Sequence, residues 1–110
     1  VAQTINESLR PTDMPVRYGG EEFTVFLPST SLENARIVAE RLRKNMERTK
    51  IALPSGKVLN VTISIGVAER IPSDTVSGII ERADKALYHA KENGRNRVCL
   101  NVNGESLVLC

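Results

Sequence analysis

Tryptophan is absent from this chain, and aromatic residues make up only 4% of it. Its core must therefore be aliphatic. No apolar run approaches the roughly 20 residues that a membrane span requires, and no signal peptide is read at its start. An excess of charge of one sign is also missing. Lys and Arg number 15 against 13 Asp and Glu, a formal net charge of +2, which gives no electrostatic case for a nucleic-acid binder. The two cysteines, Cys99 and Cys110, have no metal-binding or redox-motif spacing. They read as free thiols of a reducing cytosol, with a bridge between them left open. The expectation is a cytoplasmic segment that makes no membrane contact of its own.

What is present is ordinary for a globular protein. Hydrophobic residues make up 41% and charged residues 25% of 110 residues, so residues 1–110 are read as one domain. The chain is organised around Arg17-Tyr18-Gly19-Gly20-Glu21-Glu22-Phe23. Alternating apolar runs flank it, Met14 to Tyr18 before and Phe23 to Leu27 after. That pattern predicts a β-hairpin with the glycines and carboxylates at its tip. Glycines there allow a ligand close to the backbone, and bare N–H groups can line an anion site. Paired carboxylates can hold a hard cation such as Mg²⁺. Taken alone, the stretch is also satisfied by an ordinary Gly-Gly turn with solvated acids.

Around it the pattern is helix, strand, strand, helix, strand, helix, strand. The first ten residues place Val1, Ala2, Ile5 and Leu9 on one helical face, with no cap before Val1. Upstream sequence is therefore expected. A second helix opens near Ser29 to Glu33, with a capping box from Thr30 and Glu33 or from Ser31 and Asn34. Its buried stripe is Ala35, Val38, Ala39, Leu42 and Met46, and Ile37, Arg41, Lys44 and Arg48 lie opposite. Ile37 is apolar yet off the stripe. Pro54 to Lys57 is a turn, and Val58 to Ala68 is the strongest strand signal. Small alternate residues there predict a close-packed neighbour. Ser73 or Asp74 caps a third helix that buries Ile79, Ile80, Ala83, Leu87 and Ala90 and stops at Asn93-Gly94. Val98 to Val102 is a strand, turned by Asn103-Gly104 into a hairpin with Ser106 to Leu109. Helices on one face of a mainly antiparallel sheet account for this order, an α+β sandwich.

Three matches give the chain a family resemblance. Gly19-Gly20-Glu21-Glu22-Phe23 resembles the signature of the GGDEF domains, the diguanylate cyclases, in its Glu-for-Asp form. Five such residues in order arise by chance on the order of once in a million positions. Ala83-Asp84-Lys85-Ala86-Leu87-Tyr88-His89-Ala90-Lys91 through Gly94-Arg95-Asn96 resembles the family's second segment. Arg10-Pro11-Thr12-Asp13, five residues before Gly19, resembles its product-binding Arg-x-x-Asp. The resemblance implies the ferredoxin-like nucleotide-cyclase fold. It covers roughly the C-terminal two-thirds of such a domain by element count, lacking an N-terminal central strand and a helix.

The resemblance also implies roles. Glu21 would be the catalytic base and a ligand of Mg²⁺ or Mn²⁺, with Glu22 beside it as a second metal ligand. Gly19 and Gly20 would leave room for phosphates. Lys91 and Arg95 would contact the terminal phosphates of GTP, although Lys91 taken alone is explained by the helix C-terminus. Arg10 and Asp13, helped by Arg41, would bind cyclic di-GMP as an inhibitor, against a rival reading as surface charges. Phe23 and Asp84 are expected to be structural and His89 solvated. The implied reaction condenses two GTP into cyclic di-GMP and pyrophosphate across a homodimer, under an upstream sensor domain. The alternative is a silent domain that senses cyclic di-GMP or GTP, or only dimerises. Further metal and guanine ligands are implied ahead of Val1, so the isolated 110 residues are expected to be inactive.

Overall fold

The computed structural model describes residues 14–17, 23–102, 104 and 107–110. The expected first helix, the residues at the hairpin tip and Arg10 and Asp13 lie outside the described residues. Strands β1 (Met14–Arg17) and β2 (Phe23–Phe26) pair antiparallel, with Met14 opposite Phe26 and Arg17 opposite Phe23. That antiparallel pairing is the one that the sequence pattern predicts.

Helix α1 (Leu32–Arg48) follows. Of the two proposed capping pairs the second forms: the Ser31 hydroxyl accepts the Asn34 amide at 3.2 Å. Thr30 instead donates its hydroxyl proton to the Pro28 carbonyl. A second bond anchors the helix start to the distant part of the fold, since Glu69 Oε1 accepts the Leu32 amide at 2.9 Å. The buried stripe is the expected one, Ala35, Val38, Ala39, Leu42 and Met46. Leu42 and Met46 form a core with Val25, Val61, Ile63 and Ile65, which joins the first hairpin to the centre of the chain.

The long apolar run after residue 57 is not one strand. A short strand β3 (Lys50–Ala52), absent from the sequence reading, pairs antiparallel with β4 (Val58–Asn60). Residues 61–64 then leave the ladder, and β5 (Ile65–Ala68) begins a different sheet. Val61 and Ile63 keep the apolar alternation through the break because they pack on Leu42 and Met46. Period-two burial continued where strand pairing did not.

Strand β5 pairs parallel with β6 (Val98–Asn101), and helix α2 (Val76–Glu92) makes the crossover between them. The other three strand pairs among the described residues are antiparallel, as expected for a mainly antiparallel α+β fold. The predicted close neighbour of β5 is α2. A Cβ added at Gly66 would overlap the Ala83 carbonyl and the Leu87 backbone. The residue there must be glycine for the helix to lie on the strand. Ala86 and Ala90 are fully buried, while Ile79, Ile80, Ala83 and Leu87 are half-buried. The cap of α2 is neither Ser73 nor Asp74 but Thr75, whose hydroxyl accepts the Gly78 amide at 3.1 Å. Asp74 is engaged elsewhere, by the Ile71 amide and by Arg82.

Strand β7 (Val108–Leu109) closes the sheet against β6, with Leu100 opposite Leu109 and Asn101 opposite Val108. Val102 donates its amide to the Leu107 carbonyl, which is not the pairing that a two-residue turn at Asn103-Gly104 would give. The observed register differs by two residues from that expectation and brings Cys110 opposite Cys99. The reading of two free thiols is corrected accordingly: the two cysteines form a disulfide, with Cα atoms 4.0 Å apart. Cys99 is fully buried with Ala86 and Ala90, and Val108 packs against them.

Candidate functional site

The C-terminal end of α2 carries the described part of the candidate site. Lys91 lies in the last helical turn, where a cation complements the exposed carbonyls. Asn93 ends the helix, its amide bonded to the His89 carbonyl at 3.0 Å. Gly94 follows at φ 119°, a backbone conformation closed to most side chains. The Arg95 amide then reaches back to the Ala90 carbonyl at 2.9 Å, the long-range bond of a Schellman ending.

Arg95 and Asn96 both have left-handed backbones, at φ 62° and 45°. Asparagine tolerates that region, whereas arginine there costs about 1–2 kcal/mol. The surrounding bonds hold the turn in place. The Asn96 amide donates to Ser64 Oγ at 3.1 Å, and Arg97 Nε donates to the Arg95 carbonyl at 3.0 Å. The Asn96 side chain spans to α1: its oxygen accepts from Arg43 at 3.0 Å and its nitrogen donates to Glu47 at 2.5 Å. Arg43 is held in turn by Glu40, at 2.9 and 3.1 Å. That hydrogen bond keeps the Glu40 carboxyl below its ordinary pKa, outweighing the opposite effect of burial.

Lys91 and Arg95 are thus brought to one helix end, and both are exposed. Two cations so placed can neutralise an oligophosphate as point charge and planar fork. His89 is exposed, as expected, and its ring meets that of Tyr88 edge-on.

Arg41 sits on the outer face of α1, away from the buried stripe. It lines an open groove of about 350 Å³ with Arg36, Ile37, Glu40, Lys44, Asn45 and Arg48. Ile37, the apolar residue off the buried stripe, is 50% exposed on its wall. Arg36 is bound by Glu33, whose carboxyl it holds below the ordinary value through a side-chain hydrogen bond. Four cationic side chains and one carboxylate, Glu40, thus line the groove.

Gly19, Gly20, Glu21, Glu22, Arg10 and Asp13 lie outside the described residues. Among the described residues no three His, Cys, Asp or Glu side chains gather to hold a metal. No described helix is long and apolar enough to cross a membrane. The sequence reading missed the Arg43–Asn96–Glu47 network. Its only trace was the helical spacing of Arg43 and Glu47, a common surface pattern, and nothing local tied them to a residue so far along the chain.

Comparison with known proteins adds the following. The family described as diguanylate cyclase, GGDEF domain, matches residues 1–97. Diguanylate cyclase A of Treponema denticola is 51% identical over 104 residues, covering 94% of this chain and 28% of that protein. The GGDEF domain of DgcB from Caulobacter crescentus, solved in complex with c-di-GMP, superposes with a TM-score of 0.85 at 33% identity, over 91% of this chain and 60% of that one. The active GGEEF domain of a diguanylate cyclase from Vibrio cholerae superposes with a TM-score of 0.79 at 30% identity, over 91% of this chain and 63% of that one. The chain therefore spans less than a third of that curated relative and about three-fifths of these solved domains.

Proposed function

Because the chain belongs to the GGDEF family of diguanylate cyclase domains, we propose that it supplies one half-site of an enzyme that condenses two GTP into cyclic di-GMP. Each of the two phosphodiester bonds formed releases one pyrophosphate. In this reading Gly19 and Gly20 admit the phosphates, and Lys91 and Arg95 neutralise their terminal charge. Glu21 accepts the proton of the attacking ribose 3′-hydroxyl. The oxygen donors Glu21 and Glu22 suit a hard cation, and Mg²⁺ or Mn²⁺ bound there would screen the phosphate charge. The half-site meets its counterpart in an antiparallel homodimer, so each protomer presents one GTP. Catalysis is then mainly positioning and charge neutralisation.

The observation that carries this reading is a combination within one chain. A Gly-Gly-Glu-Glu stretch joins the paired strands β1 and β2, and two exposed cations sit at the end of α2. They occur in the order in which the family uses them. Arg10, Asp13 and the cationic groove at Arg41 are read as the product-binding site, and an upstream sensor domain as the source of control. In this reading the reaction is cytoplasmic.

Product analysis of the full-length protein with GTP and Mg²⁺ tests the proposal. One cyclic di-GMP should form for each two GTP consumed. A protein that binds cyclic di-GMP but forms none from GTP would instead be a silent sensor.

A further inference from the structure

The turn after α2 contains two successive non-glycine residues with left-handed backbones, Arg95 and Asn96. A turn that needed only to reverse the chain would take glycine there without strain. Asparagine tolerates that region, but the arginine side chain at a strained position points to a use for it. Gly94 and the bond from Arg95 to Ala90 define the near side of the turn. Its far side is defined at Asn96. The backbone amide of that residue is held by Ser64, and its side-chain amide meets a donor and an acceptor on α1. The Arg43 side chain is only 15% exposed, and Glu40 fixes its orientation, so the clamp rests on a rigid helix.

We infer that Asn96, clamped between Arg43 and Glu47, is a positioning residue that sets Arg95 against the terminal phosphates of a bound nucleoside triphosphate. The inference rests on the phosphate role proposed above for Arg95. Asn96 touches no substrate itself. It acts by narrowing the conformations of the residue before it, so its effect belongs to the triphosphate end of the ligand and not to the base.

The test uses the full-length protein and calorimetric binding of GTP and of GMP. Asn96→Gly keeps the left-handed backbone accessible and removes the clamp. Glu47→Ala opens the clamp from the other side at a half-exposed position. Asn96→Gly should weaken GTP binding about tenfold, the scale of one charge-assisted contact. Glu47→Ala should weaken GTP in the same direction by less, and GMP affinity should stay unchanged in both. Arg95→Ala should match Asn96→Gly, and the double variant should lose little more than either single one, because both act through one contact. The inference fails if the two losses multiply, or if GTP and GMP weaken together. It also fails if Arg95→Ala weakens GTP binding while Asn96→Gly does not. If Arg95→Ala leaves GTP affinity intact, the phosphate role of Arg95 falls, and the inference falls with it.

Discussion

Asp74 and Arg82 form a shielded ion pair beside the first turns of α2, with side chains only 10% and 11% exposed. The pair fastens three elements. Asp74 also accepts the Ile71 amide at 2.8 Å, and Arg82 donates to the Asn101 side chain at 3.1 Å and to the Glu69 carbonyl at 2.9 Å. Asn101 is 1% exposed at the end of β6, so Arg82 satisfies a polar group that is buried there. Glu69, just beyond β5, reaches the first residue of α1 as well. Both helices are therefore indexed to the same end of the β5–β6 pair.

Stability should depend on pH through Asp74. The Ile71 amide, and then Arg82, hold its carboxyl below the ordinary value against the opposing effect of burial. A lowered folded pKa gives a contribution that is complete above the unfolded value, about 3.9. It is lost as pH falls through the lower folded value. Thermal denaturation between pH 7 and pH 3 should show a steeper loss of stability in the wild type than in Asp74→Asn. Parallel curves would show that the pair does not contribute in this way.

The disulfide gives a second expectation. A bridge closing a short loop typically contributes about 2–4 kcal/mol. Reductant should lower the melting temperature of the wild type, and Cys110→Ser should reproduce that loss and no longer respond to reductant. Two titratable thiols in the native oxidised protein would contradict the bridge. In a reducing compartment the same chemistry would open it, leaving β7 held by Val108 packing and its ladder bonds.

The helices were legible because burial follows their periodicity. The stripe from Ala35 to Met46 is the observed one, and Ser31 is the observed cap. The hairpin of β1 and β2 was legible from alternation around two glycines. The split at residues 61–64 was not, because Val61 and Ile63 alternate into the core with or without a ladder. The Cys99–Cys110 bridge was hidden by register: a two-residue turn at Asn103 would place Cys99 opposite Val108. Thr75 was overlooked as the cap of α2 because Asp74 is the stronger capping type, and its engagement by Arg82 is visible only in three dimensions. For the site, local motifs marked Lys91 and Arg95. The clamp on Asn96 comes from α1, which is distant in sequence.

Feedback should run through Arg10. If Arg10 and Asp13 bind cyclic di-GMP, Arg10→Ala removes a charge-assisted contact worth about 1.5–3 kcal/mol, at least a tenfold loss of affinity. Arg41→Ala, on the cationic groove of α1, should weaken binding in the same direction. Calorimetry with cyclic di-GMP reads both. Unchanged affinity in Arg10→Ala would reduce the Arg-x-x-Asp to a surface pair.

The proposed cyclase reaction is tested most directly at Glu21. Glu21→Gln preserves size and removes the charge that would accept the 3′-hydroxyl proton and hold the cation. Cyclic di-GMP formation by the full-length protein, followed chromatographically with saturating GTP and Mg²⁺, should proceed in the wild type and be abolished in Glu21→Gln. GTP binding should be partly retained, because Lys91 and Arg95 are intact. Near-normal synthesis by the variant would contradict the role assigned to Glu21 and the reading built on it.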